Sequence, residues 1–159
     1  MTSTTTSPEF SALSVGDTLT DVTVGPITGV HLMRWSSAIE NWHRIHYDLP
    51  FAQEHEGLPG LLINGSWKQH LLVRMLRQWA GPQGWVAKVA FQFRAMDVAG
   101  ATLTAWGRIT DLELVDGLGH VQLEIGVRDQ DGRDGTLGTG TVVLPADRPV
   151  PYPYAGAES

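Results

Sequence analysis

The chain has 159 residues, 42% apolar and 18% charged, a composition that suits one globular domain with its own core and leaves little room for a second. A net charge of −6 with only 11 Lys and Arg argues against nucleic-acid binding, which needs clustered cations. With no cysteine, disulfides, zinc–thiolate centres and thiol nucleophiles are excluded.

Residues 1–8, rich in Ser and Thr, read as a disordered N-terminal tail. They lack the basic start and apolar run of a secretory signal. No stretch approaches the roughly 18 apolar residues of a membrane helix. A cytoplasmic protein without membrane contact is therefore the default expectation. The domain itself is taken as residues 9–145, and its first predicted element is a strand over about Leu19–Leu32. A short helix over Trp35–Trp42 is predicted next, ahead of a His-rich run.

A long helix follows. After Asn64-Gly65-Ser66, the residues Trp67, Leu71, Leu72, Met75, Leu76 and Trp79 recur on one helical face, while Lys68, Gln69, Arg74, Arg77 and Gln78 take the other. Asn64 or Ser66 serves as the N-cap, Gly81 as the stop, and Pro82 ends the helix. The period then changes to two. Trp85, Ala87, Val89, Phe91 and Phe93 alternate with polar residues, as do Leu103–Ile109 and Val121–Val127, and Leu137–Leu144 forms a last strand. Turns fall at Gly117-Leu118-Gly119 and Asp131–Gly135. Residues 146–159, with Pro149, Pro151 and Pro153, read as an extended Pro-rich tail that cannot form a central strand.

These elements predict an α+β layout in which an antiparallel sheet wraps one long central helix. The stripe from Trp67 to Trp79 is expected in the core, packed on Val89, Phe91 and Phe93, with Trp42, Trp85 or Trp106 left to line an acyl tunnel. One helix cannot cover both faces of such a sheet, so a homodimer or higher oligomer is expected.

The densest polar cluster runs Glu40-Asn41-Trp42-His43-Arg44-Ile45-His46-Tyr47-Asp48, followed by Gly57-Leu58-Pro59-Gly60 and Asn64-Gly65. It resembles the MaoC-like hydratases and dehydratases, hotdog-fold proteins acting on thioesters of coenzyme A or acyl-carrier protein, and within them a branch similar to mesaconyl- and itaconyl-type CoA hydratases. The resemblance covers roughly residues 11–144. It places the family's histidine on His46 and its aspartate on Asn41. It puts His43 at a second asparagine position, and Asn64-Gly65 at the His-Gly pair that opens the central helix. The substrate it implies is an enoyl or 3-hydroxyacyl thioester, with coenzyme A entering as part of the substrate and no separate cofactor.

The chemistry suits these residues. Hydrating an enoyl thioester needs a base for the water proton, an acid for the α-carbon, and a donor for the carbonyl oxygen as it becomes enolate-like. Histidine titrates near working pH, which makes His46 the expected base and acid. The Gly65 amide at a helix N-terminus is the expected oxyanion donor, and glycine leaves the approach open. Asn41 cannot titrate but can orient water. His43 would orient His46 or touch substrate, and Ser66 and Asn64 would flank the ligand. Blander roles compete: a helix-end cap for Asn41, a turn for Gly65, an N-cap for Ser66, and a solvated Arg44 rather than one meeting a phosphate. Glu40 or Asp48 is an alternative carboxylate.

Three other functions compete with hydration. His43, His46, Asp48, His55 and Glu56 offer nitrogen and oxygen ligands for a metal, although no metalloprotease-type helix motif accompanies them. Asn41 at the aspartate position fits a non-catalytic acyl-CoA-binding subunit of a heteromeric hydratase. A hotdog thioesterase would use Glu40 or Asp48. The reading preferred here is a hydro-lyase without a metal.

Overall fold

The computed structural model describes residues 6–152, so the outer parts of both predicted tails lie outside the described residues. Among these residues, a five-stranded antiparallel sheet has the order β1 (Val22–Val24), β3 (Leu103–Val115), β4 (Leu118–Arg128), β5 (Asp134–Pro145) and β2 (Trp85–Phe93). Helix α1 (Gly29–Ala38) precedes the His-rich run, and helix α2 (Gly65–Ala80) packs across β2 to β5. A curled sheet around one long helix is the hotdog fold.

The alternating pattern sets this arrangement. Leu103, Ala105 and Ile109 of β3 and Val121, Leu123, Ile125 and Val127 of β4 point inward and are buried. Val142 and Leu144 of β5 join them. Leu71, Leu72, Met75 and Leu76 form the buried stripe of α2 against this face. Each such side chain contributes roughly 1.5–3 kcal/mol by leaving water. Gly81 ends α2 with φ at 68°, a left-handed conformation open to glycine at little cost.

The front of the chain differs from expectation. The strand predicted over Leu19–Leu32 shortens to Val22–Val24, and the helix predicted over Trp35–Trp42 runs over Gly29–Ala38. The Gly25-Pro26 pair interrupts the strand. The backbone N–H of Thr28 then donates to His31 Nδ1 at 3.1 Å, a capping-box contact that starts α1 at Gly29. Glu40, at φ 53°, turns the chain out of the helix. A one-turn 3-10 segment (Arg44–His46) and a π-helical turn (Phe51–His55) follow.

Phe93 also departs from expectation. Val89 and Phe91 pack on the core, but Phe93 is half exposed at the end of β2 and its ring lies against Gly65. At the chain ends, Ser7 Oγ accepts the Gln83 N–H at 3.0 Å, and the Asp147 and Arg148 amides donate to the Gly117 carbonyl.

Candidate functional site

The N-terminus of α2 gathers the chain segments that carry the candidate residues. Leu61–Ile63 runs antiparallel to residues 97–99: the Ile63 N–H donates to the Asp97 carbonyl at 2.8 Å, and the Ala99 N–H donates to the Leu61 carbonyl at 2.8 Å. On its other side, the Leu62 N–H donates to the Ile45 carbonyl at 2.9 Å. The segment entering α2 is thus held from both sides, and His46 is tied directly to it.

His46 is 7% exposed, and its Nδ1 lies 2.8 Å from the Leu62 carbonyl oxygen. A carbonyl only accepts, so Nδ1 carries the hydrogen and Nε2 keeps its lone pair in the neutral ring. Burial holds the His46 pKa below the ordinary histidine value. The Leu62 hydrogen bond opposes this, and charge on His43 reinforces it. A neutral imidazole with one nitrogen anchored and the other available is the form a general base requires.

Asn41 and His43 lie beside this histidine in the chain. Asn41 Oδ1 accepts the His43 backbone N–H at 3.2 Å, which leaves its NH₂ group for another partner. The His43 ring is exposed and stands edge-on to His46, with centroids 6.1 Å apart, and its Nδ1 accepts the Ile45 N–H at 3.4 Å. His43 therefore shapes the turn that presents His46.

At the helix start, Asn64 is buried, and its amide lies 3.4 Å from Ser36 Oγ on α1. Its Oδ1 is buried without a partner. Asn64 holds the N-cap position but makes no side-chain capping bond. As first-turn donors, the Gly65 and Ser66 amides have no acceptor within α2 and lie at the positive end of its dipole. A Cβ on Gly65 would lie 2.6 Å from the tip of the Phe93 ring, so close ring packing, rather than an unusual backbone, favours glycine here. Ser66 Oγ accepts the Trp35 indole N–H at 2.9 Å, which ties α1 to α2 while its own hydrogen stays free to donate.

Other candidates are occupied elsewhere. Arg44 binds Asp48 at 2.7 Å and lies over the Phe51 ring. The Asp48 carboxylate also accepts the Phe51 N–H, and these contacts hold its pKa below the usual carboxylate range. His55 stacks on Phe51. Among the described residues no three His, Cys, Asp or Glu side chains converge to hold a metal, so the set His43, His46, Asp48, His55 and Glu56 is dispersed. Trp106 donates to Asp134 and Trp85 packs on Tyr152, while Trp42 is largely exposed. Among the described residues no helix is long and apolar enough to cross a membrane.

Sequence reasoning missed the Leu62 carbonyl, since a backbone acceptor leaves no residue signature. It also missed the buried pair of Lys68 and Asp97, whose Nζ and Oδ2 are 2.9 Å apart. The sequence pattern places Lys68 on the polar face, and the structure corrects this: standing three and four residues before Leu71 and Leu72, Lys68 is buried on the apolar stripe.

Comparisons with known proteins add to this geometry. The sequence model of the family described as hydroxyacyl-thioester dehydratase type 2 matches residues 5–101. A mesaconyl-C(4)-CoA hydratase of Chloroflexus aurantiacus is 48% identical over 46 residues, which are 29% of this chain and only 16% of that protein. Among solved structures, the R-hydratase PhaJ1 of Pseudomonas aeruginosa superposes with a TM-score of 0.76 at 16% identity, covering 95% of each chain. A chain of the ChsH1–ChsH2 complex of Mycobacterium tuberculosis does so with a TM-score of 0.71 at 20% identity, covering 82% of this chain and 98% of that one. At these identities the structural likeness is one of fold.

Proposed function

This chain belongs to the hydroxyacyl-thioester dehydratase type 2 family and has the hotdog fold of MaoC-like proteins, and on that premise we propose that it adds water to, or removes it from, an enoyl or 3-hydroxyacyl thioester. The observation that carries the reading is the buried His46 ring, its Nδ1 held on the Leu62 carbonyl three residues ahead of Gly65, the first residue of α2. The thioester is one of coenzyme A or of acyl-carrier protein, and its carrier enters as part of the substrate, so the proposal calls for no separate cofactor.

In the hydration direction, His46 Nε2 takes a proton from water as the oxygen bonds to the β-carbon. The double-bond electrons move toward the thioester carbonyl, and the Gly65 N–H holds the oxygen as it gains charge. Nε2–H then returns the proton to the α-carbon, which restores the carbonyl and the neutral ring. Both bonds form on the face that His46 occupies. The Asn41 NH₂ group donates to the attacking water, and the Ser66 hydroxyl lines the approach, with Asn64 buried behind it against Ser36.

Asn41 also favours a second reading. An amide held to the His43 N–H supplies no titrating partner to His46, as fits an acyl-CoA-binding subunit that depends on another chain for catalysis. In either reading the protein works as an oligomer, as a homodimer in the first and a heteromer in the second. The deciding experiment screens the protein, purified alone, against a panel of enoyl-CoA thioesters by loss of enoyl absorbance. Turnover by the single chain is expected. Its absence across the panel, with turnover appearing only beside a second hotdog chain, would replace the first reading with the second.

A further inference from the structure

We infer that Lys68 and Asp97 form a buried latch that fixes the position of His46 relative to the first turn of α2, making Lys68 a positioning residue for the reaction proposed above. The kinetic consequence rests on that reading, while the latch itself rests on geometry.

Lys68 lies three residues past Gly65 in α2, with its side chain only 4% exposed. Its Nζ donates to Asp97 Oδ2 at 2.9 Å and to the Ala95 carbonyl at 3.1 Å, and stands 5.0 Å from the centroid of the Phe93 ring that covers Gly65. Arg133 reaches the other oxygen of Asp97 at 3.5 Å from the surface.

The Asp97 backbone completes the ring of contacts. Its carbonyl accepts the Ile63 N–H, adjacent to the Leu62 carbonyl that anchors His46 Nδ1. The path runs from α2 through Lys68 and Asp97 to Ile63 and Leu62, then to His46, while the chain itself runs from Leu62 back into α2. Of the two groups of the proposed reaction, the Gly65 amide lies on this closed loop and the His46 ring hangs from it at the Leu62 carbonyl. Burying two charges forfeits their hydration, and apolar residues of similar volume would often give equal or greater stability. The pair instead supplies direction, since an ammonium bonded to both a carboxylate and a carbonyl fixes the backbone between Ala95 and Asp97.

The test is Lys68→Met, read by enoyl-CoA kinetics and by NMR of the ¹⁵N-labelled histidines without substrate. The latch predicts a fall in kcat of about ten- to a hundredfold, the scale of a small misplacement of a catalytic group, with KM within about twofold. It also predicts that His46 loses its fixed Nδ1–H tautomer. Should Lys68→Met fail to fold, Lys68→Met/Asp97→Leu leaves neither charge buried and is read the same way. A folded variant whose His46 tautomer matches the wild type would overturn the latch, even if kcat fell. A changed tautomer in a chain that turns over no thioester would uphold the latch and count only against the hydratase reading.

Discussion

The Nδ1–H of His46 donates to the carbonyl of Leu62 across 2.8 Å, so the tautomer of a buried histidine is set by the segment that feeds α2. The bond fixes which nitrogen is left unanchored, and on the proposed reading it ties the proton-transferring group to the helix end that would hold the developing charge. His46→Ala removes the base while leaving the Leu62 carbonyl in place. The expected result is a fall in kcat of about a hundredfold or more with a native circular dichroism spectrum. Wild-type turnover by this variant would rule out His46 as the proton carrier.

The lowered pKa of His46 gives a pH signature. As a base the ring must be neutral, so kcat/KM for hydration should be level around neutral pH. It should fall on the acid side with an apparent pKa below the ordinary 6.5. Stability carries the same sign. The unfolded chain binds the proton more readily than the folded one, so stability is lost as pH falls from about 6.5 toward the folded pKa and levels off below it. Thermal melts across this window would show the trend, and His46→Gln should remove it.

Asn41 is held by its Oδ1, and an aspartate offers the same acceptor to the His43 N–H. Asn41→Asp should therefore keep the fold and retain or raise turnover by supplying a titrating carboxylate that Asn41 lacks. Asn41→Ala should cost less than His46→Ala, since water positioning is lost but proton transfer is not. A larger loss for Asn41→Ala than for His46→Ala would reverse the assignment of roles. Steady-state rates of the three variants with one enoyl-CoA make the comparison.

Gly65→Ala places a methyl 2.6 Å from the end of the Phe93 ring, which is half exposed and free to swing outward. The expected loss of stability is about 1 kcal/mol, at the low end for overpacking. The methyl, however, stays beside the amide, so turnover should fall more than melting temperature suggests. In Gly65→Ala/Phe93→Ala the clash disappears, and stability should recover without activity. Recovery of both together would show that Gly65 matters only for packing.

The sheet and α2 were legible because their periods are clean: Val121 to Val127 alternates without a break, and Leu71 to Leu76 keeps one helical face. The front of the chain was not. Leu19, Val22, Val24 and Ile27 suggest a long strand, yet Gly25-Pro26 and the Thr28–His31 contact end it and start a helix early. At the candidate site, the motif brought out His46 and Gly65. Alternation alone assigns Phe93 to the core, because it identifies a face but not where a strand outruns it. Asp97 was passed over because its meeting with Lys68 is a tertiary event across 29 residues.

Asn41, His43, His46, Asn64, Gly65 and Ser66 all fall within 26 consecutive residues, while β3, β4 and β5 come later in the chain. The chemistry and most of the core are thus written in separate stretches of sequence. On the function proposed above, most of the sheet that would wall an acyl site can change while the groups proposed to react stay as they are; Gly135 of β5, whose carbonyl accepts the Ala95 N–H beside the Lys68–Asp97 pair, is the exception. If the proposed hydration holds, modularity of this kind would let the one reaction be carried to many substrates.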